Sequence, residues 1–123
     1  MKAGVRFHIR DRRSETGLAI GPGKIALLEA IARTGSITSA AKQLGMSYRR
    51  AWLLVDATNR CLVRPAVATV AGGDKGGGTV LTPLGIELVR RYRALERDTE
   101  TAVSRKFKSM LRTLPAGDRD TPS

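Results

Sequence analysis

Ser47, Tyr48, Arg49 and Arg50 stand in four consecutive positions, and together they carry the donors that recognition of a polyanion needs. A guanidinium is a planar fork that matches two acceptors at once, two phosphate oxygens or the O6 and N7 of a guanine. A serine hydroxyl at a helix start, with unpaired backbone amides beside it, suits a phosphate. Upstream, Ser36, Thr38 and Lys42 add two hydroxyls and a cation, and downstream Lys75 sits within a run of glycines. Catalysis asks for other groupings. With one His (His8), one Cys (Cys61) and no clustered carboxylates, there is no nucleophile, base or ligand set to nominate, so no enzyme, metal or cofactor is expected. Cys61 reads as a small core residue late in a helix.

These side chains must be held by short, closely crossed helices. Ser36 caps a helix over Ile37–Leu44 that Gly45 stops, and Ser47 caps the next, which runs to about Cys61 or Leu62 before Pro65. Ala41 is small enough to let two helices cross closely, and Gly45 can turn with a left-handed backbone. Ala40, Leu44, Met46, Ala51 and Leu54 then face inward, and Lys42, Gln43, Arg49 and Arg50 face solvent. Tyr48 has two readings, on phosphate or a thymine methyl, or packed against the preceding helix; for Trp52, sealing the core edge is expected in preference to a base contact. A first helix follows Gly21-Pro22-Gly23 and reaches about Arg33, with Ile25, Leu28, Ile31 and Ala32 inward and Gly35 at its end.

Before it, Val5 to Ile9 alternates apolar and polar residues, which predicts a strand burying Val5, Phe7 and Ile9 with His8 outward. A charged turn over Asp11–Thr16 and a second short strand or lead-in at Gly17–Ile20 follow. After the helices, two strands at Ala66–Val70 and Thr79–Leu81 flank the glycine-rich tip Ala71–Gly78 and predict a hairpin. That tip fits no phosphate-cradling loop motif, and it joins strand to strand instead of feeding a helix. Thr82-Pro83 opens a last helix to about Leu114, and residues 115–123 read as a disordered tail. Along that helix Leu88, Tyr92, Leu95, Thr99, Ala102, Val103, Phe107, Met110 and Leu114 trace an apolar stripe that wants a partner. A second copy is the economical one, with packing on the first helix taking part of it. The expected dimerisation residues are Leu88, Tyr92, Leu95, Val103, Phe107 and Met110.

Charge names the class of partner. Lys and Arg number 22 against 11 Asp and Glu, a net +11, and Arg33 to Lys75 holds seven basic residues against Asp56 and Asp74. Nucleic acid and anionic membrane both attract such a chain. No apolar run approaches the roughly 18–20 residues of a membrane span, and the start lacks a secretory apolar stretch, so a cytoplasmic location is expected.

The expected fold is mainly α with a small β component: a winged helix-turn-helix over 21–82 with its wing at 66–82. An arm or strand over 1–20 precedes it, and a long dimerisation helix over 83–114 follows. The contacts expected with double-stranded DNA are Ser36, Thr38, Lys42, Ser47, Tyr48, Arg49, Arg50 and Lys75. The helix after Ser47 enters the major groove, Arg49 or Arg50 reads a base, and Lys75 reaches the backbone or minor groove.

The runs Thr34–Ala41 and Gly45–Trp52, with the Gly72–Gly78 tip leading into Leu81-Thr82-Pro83-Leu84-Gly85, resemble the N-terminal domain of molybdate-responsive regulators of the ModE group. LysR-type regulators share the general motif. The resemblance spans about Ile25 to Leu95 and implies a dimeric repressor or activator of molybdenum-related genes; the two-fold axis of the expected dimer matches a palindromic operator. The molybdate-binding modules typical of that group are not expected in this chain, so oxyanion binding is not carried over, and three readings stay open: a constitutive DNA binder, a partner of a separate effector-sensing protein, or a regulator of another pathway. Two other readings are a sequence-tolerant architectural DNA binder and a protein-interaction adaptor.

Overall fold

The computed structural model of the protein describes residues 4–10, 19–73 and 76–114. The charged turn over Asp11–Thr16, Gly17 and Leu18 of the second strand segment, Lys75 at the hairpin tip and the tail over 115–123 lie outside the described residues. Within them the chain runs β1 (Ile9–Arg10), β2 (Ala19–Ile20), α1 (Pro22–Thr34), α2 (Ile37–Leu44), α3 (Tyr48–Cys61), β3 (Val67–Gly73), β4 (Gly76–Leu81) and α4 (Pro83–Thr113).

The helix boundaries follow from local chemistry. The Ser36 hydroxyl accepts from the Ser39 amide, the Ser47 hydroxyl from the Arg50 amide and the Thr82 hydroxyl from the Gly85 amide. Each satisfies a donor that a helix start otherwise leaves to water. Gly35 and Gly45 end α1 and α2 with φ of 74° and 67°, a backbone conformation that costs any L side chain roughly 1–2 kcal/mol.

Ile25, Leu27, Leu28 and Ile31 of α1 form the centre of the core, with Ala40 and Ala41 of α2, Ala51 and Val55 of α3, Ala66, Val67 and Tyr92 around them. Ala40 and Ala51 are fully buried, so each of the two helices turns a methyl group into the core. Leu44, Met46 and Leu54 pack against this cluster, as the inward face read from the sequence requires. Strands β3 and β4 pair antiparallel, with Val67 opposite Leu81 and Thr69 opposite Thr79, and an irregularity between Val70 and Gly73.

Four expectations need correction. The first strand is only Ile9–Arg10, paired with Ala19–Ile20, and Ile9 is 39% exposed instead of buried. The inward residue is Phe7, whose ring stacks on Tyr92 at 5.0 Å between centroids; that contact, and not strand alternation, orients the segment. Ala32 is exposed while Leu27 and Ala30 are buried, because α1 is covered by α2, α3, α4 and β4 and its buried arc is centred nearer Leu27. The hairpin strands run further into the glycines than expected, to Gly73 and from Gly76. Cys61 is half-buried, the last residue of α3, and not a residue of the core.

Candidate nucleic-acid interface

Helix α3 presents its first turn to solvent. Ser47, Tyr48, Arg49 and Arg50 are all exposed, and so is Lys42 near the end of α2. The reason lies in the 3.6-residue repeat: Ala51, Val55 and Thr58 take the inward positions, which turns Arg49 and Leu53 outward and leaves Arg50 on one flank, Tyr48 and Trp52 on the other. The second half of the helix carries its own charge balance, with Asp56 and Arg60 paired at 3.1 Å.

Beside this turn lie Ser36, half-buried, and Thr38, exposed. They line a shallow depression of about 340 Å³ with Tyr48, Trp52, Thr69, Val70 and Thr79. The expectation that Trp52 seals the core fails: it is 46% exposed. Its neighbours Ala51 and Val55 already fill the inward positions, so the indole is directed to the gap between α3 and the hairpin. Tyr48 is 54% exposed and shares this depression with Ser36 and Thr38 at the start of α2.

Two tethers fix the hairpin beside α3, and the sequence reading missed both. The Asn59 side chain accepts from the amides of Ala66 and Val67, at 2.9 and 3.1 Å, and donates to the Val67 carbonyl at 3.1 Å. On the other strand the Thr79 amide donates to Gly35 O at 2.8 Å, joining β4 to the turn between α1 and α2. The single available signal was an asparagine on the flank of a helix shortly before a proline-ended loop, which does not reveal its partners.

The residues expected on the dimer stripe separate into two groups. Tyr92 is 1% exposed, its hydroxyl donating to Phe7 O at 2.8 Å. It is taken up by the chain's own core, which corrects its assignment to a subunit contact. Leu88 is half-buried against the same core. Leu95, Val103, Phe107 and Met110 are exposed, with Leu111 and Leu114. Arg93 anchors α4 to α1 by pairing with Glu29 and, at 2.6 Å, with Glu96; the bonds to Glu29 and then Glu96 push its pKa further up. Glu87, bonded by Arg90 and Arg91, is lowered to about 2. Among the described residues no group of three or more His, Cys, Asp or Glu could hold a metal ion, and no helix is long and apolar enough to cross a membrane.

A basic helical domain holds an arginine- and hydroxyl-bearing helix start open beside a hairpin, and the chain is similar to bacterial proteins named as molybdenum-related regulators and binding proteins. The chain is 45% identical over 101 residues to the molybdenum-pterin-binding protein MopB of Rhodobacter capsulatus, covering 82% of this chain and 37% of that protein. It is 43% identical over 105 residues to the molybdenum transport protein ModE of Azotobacter vinelandii, 85% of this chain and 38% of that one. With the DNA-binding transcriptional dual regulator ModE of Escherichia coli it shares 38% over 81 residues, 66% and 31% of the two chains. The chain thus spans under two-fifths of the length of these relatives. No family model matches it.

Proposed function

We propose that this chain is a transcription regulator of the ModE type, or the DNA-binding part of one, and that it recognises a palindromic site as a homodimer in the cytoplasm. In this reading residues 21–82 are a winged helix-turn-helix. Helices α2 and α3 form the crossed pair, the hairpin within 66–82 is the wing, residues 1–20 are an arm and 83–114 carry the dimer contact. The observation that carries it is the open first turn of α3: four consecutive residues of donor chemistry, all exposed, on a helix whose other face is locked into the core. Likeness to a relative named as a DNA-binding transcriptional regulator supports it.

Entering the major groove by that turn, α3 brings Arg49 to base edges, and Ser47 with the first amides to phosphate. Ser36, Thr38 and Lys42 contact the adjoining backbone, and Lys75 on the wing follows the next phosphates or the minor groove. Arg49 points outward with Leu53 and is the stronger candidate for a base contact; Arg50, on the flank, suits phosphate. A second copy related by a two-fold axis sets two such helices roughly 34–36 Å apart, one turn of duplex.

The net charge of +11 favours one competing reading, an architectural binder indifferent to sequence, since phosphate neutralisation alone supplies affinity. Discrimination separates the two. Binding measured at physiological salt should favour a duplex enriched from a random library by at least ~10³-fold over bulk random duplex. A ratio near one selects the architectural reading, and no binding to any duplex at moderate salt removes both in favour of a protein-docking role.

A further inference from the structure

Trp52 and Tyr48 lie one turn apart on the same flank of α3, each about half exposed, with Leu53 beside them at 47%. Phosphate chemistry does not account for so much apolar surface on a helix start, because hydroxyls and guanidinium groups do that work better. The core does not account for it either, since Ala51, Val55 and Thr58 already occupy the inward positions. Across the depression stand Thr69 and Val70 of β3, and at its near end the hydroxyl-bearing Ser36 and Thr38.

The geometry points to Trp52 and Tyr48 as readers of thymine: their rings take the 5-methyl groups of thymines on one strand, while Ser36, Thr38 and Thr69 hold that strand's sugar-phosphate backbone. This rests on the DNA-binding reading above and specifies what its site selects. The 5-methyl group is the apolar feature that the major groove offers, and it separates thymine from the other bases there. The charge of the surroundings allows the approach. Arg49 stands next to Tyr48, and the carboxylate of Asp56, the acidic group on α3 described near this face, is already engaged by Arg60 at 3.1 Å. Four residues of helix advance about 6 Å, close to two base steps of roughly 3.4 Å each, so the two rings select thymines about two steps apart.

Trp52 is the chain's one tryptophan, so its emission reports on this position alone. The test uses the full chain and a duplex that the chain itself enriches from a random-sequence library. In that duplex each thymidine is replaced in turn by deoxyuridine, which deletes the methyl group and nothing else. Binding should quench or shift the emission, and deoxyuridine at one or two positions should weaken affinity about three- to fivefold each, the value of one buried methyl. Trp52→Ala should erase that sensitivity at one position and Trp52→Phe should keep it. Because the deoxyuridine series leaves the protein untouched, it decides even where a variant fails to fold. Equal affinity for every deoxyuridine duplex, or emission indifferent to bound DNA, overturns the thymine assignment and leaves DNA recognition standing. A library that yields no enriched duplex overturns both.

Discussion

A methyl group at Gly85 would sit 2.1 Å from the carbonyl oxygen of Ala66, an oxygen that also accepts from the Thr82 amide at 2.9 Å. The close approach of α4 to the start of β3 therefore depends on a missing side chain. In an open helix Gly→Ala stabilises by roughly 1 kcal/mol; here the sign reverses, and Gly85→Ala should destabilise by about 1–3 kcal/mol, the range for overpacking. Chemical denaturation of the two proteins measures it, and unchanged or raised stability would contradict the packing. Glu87, two residues on, gives a pH signature. Hydrogen bonds from Arg90 and Arg91 hold its folded pKa near 2 against an ordinary 4.5. Its contribution is thus complete above the ordinary value and is lost as pH falls from there through about 2. Melting curves of wild type and Glu87→Gln should differ near neutrality, converge over that acid range, and lie closer together at high salt.

At the scale of elements, one of the two tethers on the hairpin is a side chain, that of Asn59 on α3. Asn59→Ala leaves the Ala66 amide and both the amide and carbonyl of Val67 without their partner, and should cost about 1–3 kcal/mol. Its second effect distinguishes a positioning residue from a merely stabilising one. With the tether cut, affinity for the enriched duplex should fall at temperatures where the variant is still fully folded by circular dichroism; intact affinity there would remove Asn59 as the element that places the hairpin. These contacts also mark where the sequence is legible. Caps at Ser36, Ser47 and Thr82 and turns at Gly35 and Gly45 act within three or four residues of themselves, so the helix ends could be read directly. Asn59 and Gly85 act on partners brought near by the fold, and nothing in their own neighbourhoods announces it. Trp52 misled for a related reason. Hydrophobicity alone favours burial, whereas its angular position, one step beyond Ala51, decides exposure. At the amino terminus, alternation promised a longer strand, but the stacking of Phe7 on Tyr92 governs that segment.

On the scale of the whole molecule, α4 is longer than the domain it packs on. Its 31 residues extend about 46 Å, and Val103, Phe107, Met110 and Leu111 leave apolar surface along the second half. In the proposed dimer this half meets its copy. Val103→Asp combined with Phe107→Glu should leave the melting of the core nearly unchanged, convert the dimer to monomer in sedimentation, and weaken palindrome binding more than half-site binding. Monomeric wild type at micromolar concentration would refute the pairing. The bond from the Tyr92 hydroxyl to Phe7 O spans 85 positions of chain, and it has a consequence for biosynthesis. At roughly 5–20 residues per second, Phe7 is polymerised on the order of 4–17 s before its aromatic partner. During that interval the nascent amino terminus has no place to dock, and the domain closes only when translation has passed into the last helix.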